Sequence, residues 1–158
     1  MTHYGIKMNR LRQNLFLLVA LIFLILGGAC SEDPNTEKVK NEVKNFKRAQ
    51  ELYFNADRYL KEITGGNSIV GSFSEDERNT YINKLSIALK EAKLVSDGTL
   101  YKLHPKLPEA YHSIFIPCIE KQLKGFAKYD PKASIEGQIL HDAWIDWWNG
   151  NYKEFRRL

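Results

Sequence analysis

A chain of 158 residues with a formal charge of +4 is long enough for one domain with a genuine core and too short for two of ordinary size. Three of its 23 basic residues, Lys7, Arg10 and Arg12, precede an apolar run, and the other 20 face 19 acidic residues, so the body of the chain is almost neutral. That balance offers no concentrated basic patch of the kind phosphate binding needs, and no nucleic acid is expected as a partner.

The first element in chain order is the apolar run itself. Leu15 to Leu26 are twelve consecutive apolar side chains, flanked by the basic residues before them and by Gly27, Gly28, Ala29 and Cys30 after them. This order of charged region, short apolar region and small-residue cleavage zone is that of a signal peptide. A membrane-spanning helix needs about 20 apolar residues, whereas twelve at about 1.5 Å each reach only about 18 Å, which argues against an uncleaved anchor.

Leu26-Gly27-Gly28-Ala29-Cys30 resembles the lipobox of bacterial lipoproteins. The resemblance covers the first thirty residues. It implies that cleavage follows Ala29, that the Cys30 thiol carries a diacylglyceryl thioether, and that the new amino terminus is acylated, palmitate being a typical acyl chain. A thiol is required because its thiolate is the nucleophile that takes up the lipid. Two or three acyl chains exceed the threshold for stable anchoring to a bilayer. Lipoboxes usually carry Leu three residues before the cysteine, where this chain has Gly27. Gly27-x-Ala29 also fits an ordinary secretory cleavage site, and on that alternative Cys30 stays a thiol that an oxidising compartment lets pair with Cys118. Ser31 after the cysteine, rather than Asp, resembles lipoproteins forwarded to the outer membrane in didermal bacteria, where the domain faces the periplasm. The expected organisation is therefore a signal peptide over 1–29, the lipidated Cys30 with a tether over 30–37, and a helical domain over 38–158.

Ser31-Glu32-Asp33-Pro34-Asn35-Thr36 is polar and reads as tether. Val39, Val43, Phe46, Ala49, Leu52, Tyr53, Ala56, Leu60 and Ile63 then recur at spacings of three and four, one face of an amphipathic helix over about 36–63. Gly65-Gly66-Asn67-Ser68 ends it. Ser74 and Glu77 have capping-box spacing and open a second helix near 75, with Tyr81, Ile82, Leu85, Leu89, Ala92 and Val95 on its apolar face. Asp97-Gly98 is expected to close it. A loop with Pro105 and Pro108 leads to a third helix over about 109–128, carrying Tyr111, Ile114, Phe115, Cys118, Leu123 and Phe126, with a kink or break at Pro117. A fourth helix is expected from near Ser134, after Asp130-Pro131, continuing through Ile139, Leu140, Ala143, Trp144, Trp147 and Trp148, with Trp144 and Trp148 on one face and Trp147 rotated about 100° away. It should stop at Asn149-Gly150, before a terminal turn with Tyr152 and Phe155. No segment alternates as a strand requires, so the expected fold is all-α, a compact bundle of about four helices.

The candidate chemistry is sparse. Glu109-x-x-His112 places a carboxylate and an imidazole on one helix face, as in di-iron bundles, but those sites need a second copy, which the sequence lacks. A helix first turn with Glu near the positive end of the dipole explains it as well. His141-Asp142, with Glu136 before them, offers an acid/base pair in principle; adjacent helical residues point about 100° apart, so a polar helix face is the competing reading. Cys118 lies among Ile114, Phe115, Ile116 and Ile119, an apolar setting that suits structural filler. Trp144, Trp147, Trp148, Tyr152 and Phe155 are the one cluster that suggests recognition, either of a partner protein or of a sugar ring, although aromatic stripes at helical spacing usually pack inside. No metal or cofactor is expected. The sequence thus leads to a lipid-anchored, non-enzymatic helical domain of the cell envelope that binds another envelope protein, of accessory, assembly, exclusion or immunity type. A glycan-binding module using the tryptophans, or a hydrolase around His112 or His141, are the alternatives.

Overall fold

The computed structural model of the chain describes residues 34–65 and 74–155. Gly27, Gly28, Ala29 and Cys30 lie outside the described residues. The fold is all-α, with five helices among the described residues rather than about four. They are α1 (Pro34–Thr64), α2 (Glu75–Ala92), α3 (Asp97–Leu103), α4 (residues 107–128) and α5 (Pro131–Asn151), followed by a 3-10 turn, Tyr152–Glu154. No helix among the described residues is long and apolar enough to cross a membrane.

α1 starts at Pro34, inside the stretch read as tether, because proline suits a helix first turn, where its missing N–H costs nothing. Its buried stripe is Val43, Phe46, Ala49, Tyr53, Ala56 and Leu60. α2 begins as the capping box requires: Ser74 N–H donates to Glu77 Oε2 at 2.8 Å and Glu77 N–H donates back to Ser74 Oγ at 3.3 Å. These bonds hold the Glu77 carboxyl below its ordinary value.

The fifth helix comes from Asp97-Gly98, which opens α3 instead of closing α2. Ser96 is its N-cap and Asp97 supplies negative charge to its first turn, so the same residues carry a start signal as well as a stop signal. The cap is completed from a distance. Glu42 of α1, buried, accepts from Ser96 N–H at 2.9 Å and from Ser96 Oγ. Burial by itself raises the Glu42 carboxyl, but the Ser96 and Thr99 hydrogen bonds outweigh it and leave the group below its ordinary value.

In α4, Pro117 does not break the helix. The α-helical turn Leu107–Ala110 widens into a π-helical stretch, Tyr111–Phe115, before the α-helix resumes at Ile116. Ile116 N–H reaches back five residues to Tyr111 O, and the extra residue accommodates a ring that would clash with a carbonyl one regular turn earlier. α5 starts at Pro131, three residues before Ser134, because Asp130 is its N-cap and accepts from Ala133 N–H at 3.0 Å. It runs past Asn149-Gly150 to Asn151.

Glycines set how closely α4 and α5 approach. A Cβ on Gly125 would lie 2.8 Å from Ser134 N, and one on Gly137 would lie 2.7 Å from Gln122 Cγ. The inward face of α5 is consequently Ala133, Gly137, His141 and Trp144. Ile139 points to solvent together with Ile135, at 62% and 63% exposure. The true stripe contains a glycine and a histidine, which an apolar periodicity does not count.

Candidate functional site

Where α1, α4 and α5 meet, the core holds a chain of polar side chains. Tyr81 hydroxyl donates to Gln122 Oε1 at 2.7 Å, which orients the amide so that Gln122 Nε2 donates to Tyr53 Oη at 3.1 Å. Tyr53 Oη also lies 3.0 Å from Cys118 Sγ and 2.6 Å from His141 Nδ1, and the Cys118 thiol points at Gly137 O, 3.4 Å away. One placement of protons makes every contact a hydrogen bond. The thiol donates to the carbonyl, so the sulfur must accept from Tyr53, and Tyr53 must then accept from His141 Nδ1–H.

His141 lines a groove between α1 and α5 of about 470 Å³, together with Phe54, Asp57, Lys61, Asp142, Ile145 and Asp146. His141 Nε2 lies 3.9 Å from Asp57 Oδ1. Lys61 Nζ is paired with Asp57 Oδ2 at 2.7 Å. Asp142 Oδ1 accepts from Gln138 Nε2 at 3.0 Å. Asp146 has no hydrogen-bond or ion-pair partner among the described residues. No three His, Cys, Asp or Glu side chains among the described residues are grouped to hold a metal ion.

His141 and Asp142 line this one groove but do not pair. His141 is 5% exposed and turned inward, whereas Asp142 stands at the surface. Glu136 belongs elsewhere, bound to Lys121. Nor do Glu109 and His112 meet: His112 Nε2 pairs with Asp97 Oδ1 at 2.6 Å, on the exterior. Cys118 is fully buried and free. Burial pushes its thiol up to about 12, outweighing the hydrogen bond from Tyr53, so it is not an activated nucleophile. Tyr53 and Tyr81 are likewise raised well above their ordinary value by burial.

The tryptophans divide. Trp144 is 0% exposed, packed on Phe115 at 4.7 Å and stacked on Trp147 at 5.3 Å, so it has no surface to offer a partner. Trp148 is half-buried against Phe46 and Phe155. Tyr152 is exposed. Trp147, half-buried, borders a second groove of about 230 Å³ with Lys106, Glu109, Ala110, Ser113 and Ile114. Its inner edge meets His104, a buried histidine whose ring lies over Phe155 and whose Nδ1 accepts from Lys106 N–H at 3.1 Å. The remaining His104 nitrogen therefore carries the proton and donates to Glu154 Oε2 at 3.3 Å. That bond ties the C-terminal turn to the loop after α3.

Sequence reasoning assigned Tyr53 to the apolar stripe of α1 and gave no role to Asp57 or Gln122. The available signal was the spacing Tyr53-x-x-x-Asp57-x-x-x-Lys61, three polar-tipped side chains one turn apart on a helix edge. Comparison of the chain with protein-family models, with curated proteins and with solved structures finds no match.

Proposed function

We propose that this is a lipid-anchored protein of the bacterial envelope whose helical domain binds another envelope protein and carries out no catalysis of its own. The anchoring half of the reading rests on the leader and on Cys30 as acyl acceptor. The binding half rests on one observation: Ile135 and Ile139 stand one turn apart on the outer face of α5, both more than half exposed. An apolar pair rimmed by polar groups suits a protein contact.

Two measurements test it. Growth with a labelled fatty acid should mark the wild-type protein and leave Cys30→Ser unmarked. Cross-linking in intact cells should give a defined adduct that the double change Ile135→Glu, Ile139→Glu removes while the domain stays folded. An adduct indifferent to both isoleucines would end the binding half.

The groove beside Trp147 favours a second reading, an indole platform for a sugar ring, with Glu109, Ser113 and Lys106 placed as hydrogen-bonding groups around it. Retention on purified cell wall that drops with Trp147→Ala, but not with Tyr152→Ala, is what that reading requires.

A further inference from the structure

We propose that the end of the helical domain where α1 begins rests on the anionic headgroups of the bilayer, so that the domain stands in one orientation with Ile135 and Ile139 turned away from the lipid. The inference rests on the proposed acylation of Cys30 and goes beyond it to the surface that meets the membrane.

Three observations carry it. First, stretches distant in sequence meet at this end. Ser96, the N-cap of α3, is bonded to Glu42 of α1, and Lys102 shares a small cleft with Asn35, Lys38 and Val39. The terminal turn is tied to the end of α3 through His104 and Glu154, and Trp148 near the end of α5 packs on Phe46 of α1. Second, charge is segregated. Residues 35–48, 96–106 and 152–155 hold eight basic and four acidic residues, net +4, whereas the other described residues hold ten and thirteen, net −3. Of those four acids, Glu42 is buried under the cap of α3, and Asp97 and Glu154 face histidines. Lys38, Lys44, Lys102, Lys106 and Lys153 are exposed. Glu32 and Asp33 before α1 are matched by Arg156 and Arg157 at the other terminus. The near-neutral sum over the chain conceals this separation. Third, the same end displays Tyr101 and Tyr152, at 57% and 49% exposure, each followed directly by a lysine. Tyrosine beside lysine suits a headgroup layer, where the ring meets the acyl boundary and the ammonium reaches phosphate.

Chain length selects the bilayer as the occupant. Cys30 and Asn35 are five residues apart, a span of at most about 18 Å. Acylation therefore keeps this end within about two Debye lengths of the headgroups at physiological salt. Each lysine at such a surface contributes about 1 kcal/mol. That is too little to recruit a free domain, but on a short tether the contact forms at high effective concentration. Ile135 and Ile139 lie 13 to 17 residues back along the chain from Tyr152, about 20–25 Å at the rise of an α-helix, and so face a partner instead of the lipid.

The test uses the full-length lipidated protein in vesicles of phosphatidylcholine, with or without phosphatidylglycerol. A fluorophore is placed at Asn41→Cys, in the second turn of α1, or at Asn79→Cys, in α2 beside Arg78, which meets Phe126 at the opposite end of the bundle. Both positions are exposed and Cys118 is buried. Quenching by headgroup nitroxides reports proximity to the bilayer. The ratio of quenching at 41 to that at 79 should be about threefold higher on anionic than on neutral vesicles. It should drop to the neutral value in 1 M salt, where the Debye length shrinks to about 3 Å. Lys44→Glu, Lys102→Glu and Lys153→Glu together should lower it likewise, with circular dichroism unchanged; the salt series needs no variant and stands if that one misfolds. A ratio indifferent to lipid charge and to salt overturns the proposal. Loss of the cross-linked adduct in the lysine variant, with no effect of lipid charge, would assign the lysines to the protein partner and also refute it. Intact mass of the same preparation separates the two readings. An unmodified Cys30 removes the anchor and this orientation with it, whereas an acylated protein with an indifferent ratio removes the orientation alone.

Discussion

Glu42 shows how one side chain joins two helices. Its carboxylate supplies the N-terminal cap that α3 does not make from its own side chains, so Glu42→Ala should cost about 1–3 kcal/mol in urea unfolding at neutral pH. The sign of the pH dependence follows from the lowered folded-state pKa. The stabilisation is complete above the ordinary value of 4.5 and disappears as the pH falls through the lower folded value, so wild type and Glu42→Gln should converge in stability at strongly acidic pH. A gap that persisted there would assign the effect to packing. Cys118 makes a second test at this scale. A thiol pushed up to about 12 by burial should resist iodoacetamide at pH 8 in the folded protein and react at the rate of a free thiol in denaturant. Rapid native alkylation would reopen the case for a nucleophile. The site was only half legible from such residues. His141 stood out as a titratable side chain, but its true partners, Tyr53 and Asp57, lie far away in sequence on α1, and long-range pairing leaves no local spacing to read.

At the scale of elements, local chemistry decided most of the fold. The capping box at Ser74 and Glu77, the stripe of α1 and the proline in α4 each act within a turn or two of chain, so pattern alone exposed them. What stayed hidden was set between elements. Asp97-Gly98 reads equally as a stop and a start until Glu42 arrives to cap it, and Gly125 and Gly137 look like weak helix residues until two helices are brought together across them. The glycines give a prediction with opposite signs. Gly137→Ala would put a methyl group 2.7 Å from Gln122 Cγ and should cost about 1–3 kcal/mol as α4 and α5 are forced apart. Gly150→Ala, in the same helix with open space at its Cβ, should instead stabilise by up to about 1 kcal/mol through helix propensity. Thermal melting of the two variants side by side decides it. Two losses of similar size would mean that helix–helix approach is not what these glycines provide.

At the scale of the whole molecule, the proposed anchor and the helices occupy different stretches of the sequence. Among the described residues the core runs from Val43 to Trp144, with Phe155 packed against it. On the proposed function, the acyl chains at Cys30 attach the domain four residues before α1 begins at Pro34. The near balance of 20 basic and 19 acidic residues after Arg12 gives little net electrostatic attraction to an anionic bilayer, so the proposed function relies on the lipid for attachment. The native protein, purified from membranes, should have an intact mass that begins at Cys30 and carries diacylglycerol. A chain exported behind an ordinary secretory leader and starting at Ser31 should leave the membrane fraction yet melt within about 0.5 kcal/mol of the lipidated form. An unmodified Cys30 or a retained leader in the intact mass would remove the anchor from the proposed function. A large loss of stability on starting at Ser31 would show that the segment around Cys30 supports the bundle as well as tethering it.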